Sequence, residues 1–133
     1  MKKKVKKTKK DLGKYKSHFE VEVSSKLGDC NYEVTEMEYT EPAVQHKYIP
    51  DFTTTAQDGH QIHWETKGRF RTKAEADKYI MVRDSNPEID LRFIIMDRKT
   101  MMPRSKKTTI FSWLVKNGFT VYVWPDIPNI RKI

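Results

Sequence analysis

Asp51, Glu65 and Lys67 are the residues of this sequence whose types and spacing could do chemistry together. Asp51 stands in Tyr48-Ile49-Pro50-Asp51-Phe52, and Trp64-Glu65-Thr66-Lys67 follows after an Asp58-Gly59 turn. The two runs read as a hairpin with one carboxylate on its first strand and a carboxylate plus a lysine on its second. Strand side chains alternate between faces, so Glu65 and Lys67 point the same way. With Asp51 across from them, two acids and an ammonium group meet. Carboxylates placed that way bind hard divalent cations such as Mg²⁺, which prefer oxygen ligands and keep some of their water. Water polarised by such an ion, beside a lysine, is the equipment for hydrolysing a phosphodiester. Each residue also has a plainer reading: Asp51 as a surface aspartate near a turn, Glu65 and Lys67 as an ion pair. Against the plainer reading, Glu65 and Lys67 alternate with Ile62, Trp64 and Gly68 in an otherwise apolar strand, where burying charge is costly unless something pairs it.

The elements that must position these groups can be read along the chain. Ser17-His18-Phe19-Glu20 has capping-box spacing, and Phe19, Val23 and Leu27 recur every four residues, so a helix is expected from Ser17 to Gly28. Tyr32, Val34, Met37 and Tyr39 predict one extended strand reaching Glu41-Pro42. Ala43 to Lys47 is expected to be a connector into a Tyr48–Thr55 strand, and Gln61–Lys67 the return strand. Pro50 removes a ladder donor and suits a strand edge or bend. Thr72-Lys73-Ala74-Glu75 opens a second predicted helix that runs to Ser85, ahead of Pro87. Leu91–Met96 is a continuous apolar run, as expected of a strand covered on both faces. A third helix over Thr109–Lys116 and a last strand over Phe119–Trp124 complete the order. Helices alternating with strands in this way predict an α/β layer fold.

Composition narrows the partner. The chain has 133 residues, 37% of them hydrophobic, which is one domain with a modest core and leaves room for an oligomer that shares core surface. No run approaches the ~20 apolar residues of a membrane span, and the N-terminal lysines precede no apolar segment of the secretory kind. A lone cysteine, Cys30, excludes an internal disulfide and suits a reducing cytoplasm. The net charge of +8 is concentrated at one end: nine lysines against Asp11 in the first sixteen residues, leaving 17 basic and 17 acidic residues from Ser17 onward. Residues 1–14 are therefore expected to be a disordered basic tail on a 15–133 domain. Within the body, ten acids and two bases lie between Glu20 and Glu65, whereas fifteen bases and seven acids follow Glu65. A lysine tail and a basic second half suit a polyphosphate partner. The alternative is a solvated, solubilising tail.

Pro50-Asp51 followed by Glu65-Thr66-Lys67 resembles the PD-(D/E)xK nuclease motif, a pattern that is weak by itself because its residues are common. Ser17, Glu20, His46, Tyr48, Phe52, Gly68, Asn86-Pro87-Glu88 with Asp90, and Lys116-Asn117-Gly118 extend the likeness. In that order and spacing they resemble the bacteriophage endonuclease I family of Holliday-junction resolvases, over roughly Tyr15 to Tyr122. The resemblance implies a mixed central sheet flanked by helices and an endonuclease that cuts four-way or branched DNA, leaving 5′-phosphate and 3′-hydroxyl ends. It implies Mg²⁺ (with Mn²⁺ as a substitute) on Asp51, Glu65, the Thr66 carbonyl and Glu20, with Glu20, Asp51, Glu65 and Lys67 as the catalytic set. It also implies an intertwined homodimer in which residues 32–45 bridge to the partner and Glu20 is supplied by the partner chain. A host-cytoplasm location for a phage-encoded protein follows from it as well. The denser lysine tail, and an end soon after the last strand, depart from the family pattern.

Several candidates keep two readings. Glu20 occupies the last position of a capping box and could serve the helix alone. His46 could contact phosphate or support its connector. Arg69, Arg71, Lys73, Arg98, Lys99, Arg104, Lys106 and Lys107 are expected phosphate contacts, though any one could be a solvated charge. His60 and His63 lack the companions a zinc site needs. The competing functions are a PD-(D/E)xK nuclease for nicked, mismatched or host duplex DNA, and a basic DNA-binding module whose acids are structural.

Overall fold

A computed structural model describes residues 12–41 and 44–133. Most of the predicted lysine tail, residues 1–11, lies outside these, as do Pro42 and Ala43. The elements in chain order are α1 (His18–Leu27), β1 (Asn31–Tyr32), β2 (Met37–Glu41), β3 (Val44–Tyr48), β4 (Phe52–Thr55), β5 (Gln61–Lys67), α2 (Lys73–Ser85), β6 (Asp90–Ile95), α3 (Ile110–Lys116) and β7 (Thr120–Val123), with a final 3₁₀ turn at Ile130–Lys132.

The fold is mixed α/β. Five strands form the central sheet in the order β1-β4-β5-β6-β7, antiparallel from β1 to β5 and parallel from β5 to β7. Alternation along the strands sends side chains to two cores. Ile62, Trp64, Phe52 and Ile94 meet Val23 and Leu27 of α1 on one face. Phe93 and Ile95 meet Tyr79 and Val82 of α2 and Ile110 and Leu114 of α3 on the other. Glu65 and Lys67 share the α2 side of β5, the parity expected of a period of two.

The three helices start where their caps predict. Ser17, Thr72 and Thr109 each accept a hydrogen bond from the amide three residues on. Gly28 ends α1 with φ +73°, a conformation that costs a side-chain-bearing residue energy.

The strands depart from expectation before Phe52. The single strand predicted through Tyr32, Val34, Met37 and Tyr39 is two strands in different sheets, because Glu33 turns the backbone with φ +51°. Residues 44–47 of the predicted Ala43–Lys47 connector instead belong to β3, which pairs with β2 as a two-stranded antiparallel sheet, Met37 opposite Tyr48 and Tyr39 opposite His46. The predicted Tyr48–Thr55 strand is broken at Ile49-Pro50-Asp51, where the chain leaves the small sheet and enters the large one. Pro50, fully buried and unable to donate, sits at that break.

Candidate active site

Asp51 is placed by the strand change. One residue beyond the Phe52–Trp64 pair of the β4–β5 ladder, it comes opposite Glu65. Its Oδ2 accepts from the Thr66 amide at 2.9 Å and the Thr66 hydroxyl at 2.8 Å, and its own carbonyl accepts from the Glu33 amide at 3.1 Å. Glu65 is 5% exposed, with Tyr48 donating to Oε2 at 2.5 Å and Tyr79 donating to Oε1 at 2.8 Å. The Lys67 Nζ lies 3.5 Å from Glu65 Oε1 and 3.1 Å from Glu75 Oε1, over the Tyr79 ring. The three groups expected to cluster do so, and the β5 strand that carries two of them is central in the sheet.

Glu20 approaches from the opposite layer. It is 6% exposed on α1, and its Oε1 accepts from the Lys16 amide at 3.0 Å and the Ser17 hydroxyl at 3.3 Å, one residue before the Ser17 amide that a capping box uses. Burial raises its pKa first, and the Asp51 charge raises it further. Glu65 feels the same pair of causes more strongly. Removal from water and then the Asp51 charge push its carboxyl up to about 7, against the pull of Lys67 and the two tyrosines. Asp51 thus faces a reluctant carboxyl on each side. For Lys67, burial alone would lower the pKa, but Glu65 and Glu75 outweigh it and the ammonium is held charged.

A cation suits this electrostatics, because it would relieve the repulsion among Asp51, Glu65 and Glu20 and let Glu65 ionise. Among the described residues no three His, Cys, Asp or Glu side chains converge as a ready-made cage. Asp51 and Glu65, facing each other, are two oxygen donors of the kind a hard ion such as Mg²⁺ uses while keeping water or substrate oxygens for the rest.

Lys67 opens onto a cavity of about 710 Å³ lined by Thr66, Gly68, Arg69, Arg71, Glu75 and Lys78 among others. Arg69 and Arg71 also line an adjoining cavity of about 810 Å³ with Lys73 and Arg104. Two of the eight predicted arginine and lysine contacts, Arg69 and Arg71, thus line the cavity of Lys67, and two more, Lys73 and Arg104, line the one adjoining it. Arg98, Lys99, Lys106 and Lys107 lie on the same β6–α3 loop as Arg104 but line neither cavity, and Arg98 stacks over Phe111. His46 pairs with Glu41 at 2.8 Å and stacks on Tyr39, within the small sheet. His60 bonds Asp58 and Asp90, and the buried His63 bonds Thr53, which accounts for both without a metal.

The family profile described as phage endonuclease I matches residues 1–128. The chain belongs to that family. It is 28% identical over 111 residues to "Endonuclease I" of Escherichia phage T7, covering 80% of this chain and 71% of the relative. It is 27% identical over 108 residues to "Endodeoxyribonuclease 1" of Enterobacteria phage T3, covering 78% and 68%.

In this phage endonuclease I family member, three polar residues of the pocket were not singled out as functional by sequence: Tyr79, Glu75 and Lys78. All are on α2. Their signal was present but indirect, since Glu75 and Tyr79 are four apart on the helix face turned to β5. Tyr48 appears among the family-like residues, and its role, donating to Glu65, emerges only with the fold. No helix among the described residues is long and apolar enough to cross a membrane.

Proposed function

We propose that this protein is a metal-dependent, structure-selective endodeoxyribonuclease that resolves four-way and other branched DNA. The observation that carries the reading is the grouping of Asp51, Glu65 and Lys67 around one end of β5, with Glu65 buried and Lys67 opening onto a cationic cavity. Membership of the phage endonuclease I family, with relatives named as an endonuclease and an endodeoxyribonuclease, supports it.

Asp51 and Glu65 would hold Mg²⁺, or Mn²⁺ in its place, together with the Thr66 carbonyl and Glu20. When bound, the ion supplies Lewis acidity toward a phosphate oxygen and a more acidic water. The protein's own groups do the rest. Thr66 fixes the Asp51 carboxylate through two hydrogen bonds, and Tyr48 and Tyr79 hold Glu65 in one rotamer. Lys67 donates to the attacking water or to the oxygens that gain charge in the transition state. Arg69, Arg71, Lys73 and Arg104 take the flanking phosphates. In-line attack leaves 5′-phosphate and 3′-hydroxyl ends.

A four-way junction has two symmetric strands to cut, and a twofold dimer with two such pockets matches that symmetry. Glu20 could complete the set from its own chain, or an exchange between protomers through residues 32–45 could supply it from the partner chain. Mixing Glu20→Ala with Lys67→Ala chains separates the cases: regained cleavage requires the exchange, while no regain in a stable mixed dimer means each pocket is self-contained.

The deciding experiment offers a synthetic four-way junction and a linear duplex of equal length, with Mg²⁺ or EDTA. Mg²⁺-dependent cutting of the junction in preference to the duplex is expected, with Glu65→Ala and Lys67→Ala binding but not cutting. Equal cutting of both substrates would move the reading to a nuclease for ordinary or damaged duplex. Binding without any cutting would leave a basic DNA-binding module.

A further inference from the structure

Lys67 is held from two sides. Its ammonium touches Glu65 and, more closely, the Oε1 of Glu75, in a position where the side chain is only 17% exposed. A lysine on four rotatable methylenes has many conformers to choose from, so whatever fixes its nitrogen fixes where its charge is delivered. Glu65 is the more distant of the two partners, 3.5 Å against 3.1 Å, and each of its oxygens is shared with a tyrosine hydroxyl.

Glu75 is built to complete the task. Its Oε2 accepts the Arg71 amide at 2.7 Å while its own amide donates to the Thr72 hydroxyl at 3.1 Å. In an ordinary capping box the acid at this position reaches back to the amide of the cap residue itself. Here the carboxylate reaches one residue further, to Arg71, and that leaves Oε1 aimed at Lys67. Backbone at one oxygen and ammonium at the other make it a rigid bracket between the start of α2 and the end of β5.

We propose that Glu75 is a positioning residue that holds the Lys67 ammonium at the reacting phosphate, acting through Lys67 and not on the substrate. The proposal rests on the nuclease reading above. It gives Glu75 an effect opposite in kind to that of the neighbouring cations. Removing a negative charge from a DNA-facing cavity favours binding, whereas releasing Lys67 harms the chemical step. Glu75→Gln keeps the size and an acceptor for the Arg71 amide but weakens the hold on the ammonium.

The test compares wild type, Glu75→Gln, Glu75→Asp, Lys67→Ala and Val82→Ala, the last loosening the core face of the same helix away from the pocket. Junction affinity is read by fluorescence anisotropy in EDTA, turnover in Mg²⁺, and Lys67 mobility by the rate of labelling with an N-hydroxysuccinimide ester followed by peptide mapping. Glu75→Gln is expected to lower kcat between about tenfold and a hundredfold, with affinity unchanged or tighter and Lys67 labelled faster. Glu75→Asp, which keeps the charge on a shorter stem, should recover part of the loss. Val82→Ala should lower the melting temperature with kcat retained. Wild-type kcat in Glu75→Gln, or an equal fall of kcat in Val82→Ala, would overturn the positioning role while Lys67→Ala remained dead. Wild-type cleavage surviving in Lys67→Ala would overturn the catalytic role of Lys67 and this inference with it, whereas no cleavage by wild type in Mg²⁺ would overturn the nuclease reading.

Discussion

Without a divalent cation, this protein should lose stability as the pH rises through neutrality, and Glu65 should be the reason. Its carboxyl is lifted from an ordinary 4.5 to about 7, first by burial and then by Asp51. A carboxyl raised on folding is stabilising while protonated: the contribution is complete below the unfolded value and is lost as pH climbs through the folded one. The rise corresponds to roughly 3 kcal/mol between pH 5 and pH 8.5. For a domain of this length that is a fall of about 10 °C in Tm. Glu20 is raised in the same direction, by burial and Asp51. His60 and His63 titrate in the same window, His60 raised by hydrogen bonds to Asp58 and Asp90 and His63 lowered by burial, so the quantity to read is the difference between wild type and Glu65→Gln. Scanning fluorimetry in EDTA at half-unit steps should show wild type falling relative to Glu65→Gln as pH increases. Mg²⁺ should restore wild type at pH 8.5 far more than at pH 5, and should leave Glu65→Gln nearly unmoved. Parallel melting curves for the two proteins across the whole range would refute the buried, charge-strained carboxyl on which the site is built.

Three further outcomes follow from the same geometry. Tyr79→Phe removes the donor to Glu65 Oε1 and should cost about 1–3 kcal/mol in urea denaturation at pH 8, where the carboxylate is charged, and less at pH 5; equal cost at both pH values would mean the bond is not to an ionising group. Arg71→Ala and Arg104→Ala should each weaken junction binding and reduce the slope of log K against log salt by about 0.9 per lost phosphate contact, measured by anisotropy between 50 and 200 mM salt; an unaltered slope removes the adjoining cavity from the DNA path. Deleting residues 1–14, which carry eight of the lysines, should lower affinity and flatten the salt dependence while leaving kcat within about twofold of wild type; an unchanged slope would show that the tail does not meet phosphate.

Much of the scaffold was legible because it is specified by short-range chemistry. Ser17, Thr72 and Thr109 mark helix starts through hydrogen bonds spanning three residues, and Gly28 marks an end through its backbone freedom. The two strand ladders around β5 follow from alternation and a turn. What was misread lies between Tyr32 and Tyr48, where alternating residues admit either a long strand or a hairpin. The choice depends on Glu33 taking a left-handed conformation and on β2 packing over α2, neither of which has a local signal. For His46 and the loop cations the sequence shows charge but not neighbours, which a basic residue acquires only in space.

The sequence by itself determined which groups would face one another along β5, because a strand's two-residue period leaves Glu65 and Lys67 no choice of side. It also placed them in an otherwise apolar strand, ahead of a basic second half. Only the tertiary structure decided how acidic Glu65 is and what holds Lys67. Those properties come from Tyr48, Asp51, Glu75 and Tyr79, which two separate segments, residues 48–51 and α2, deliver to one buried point. Proton affinity and side-chain position depend on distance and exclusion of water, and neither quantity exists until the layers close around the strand.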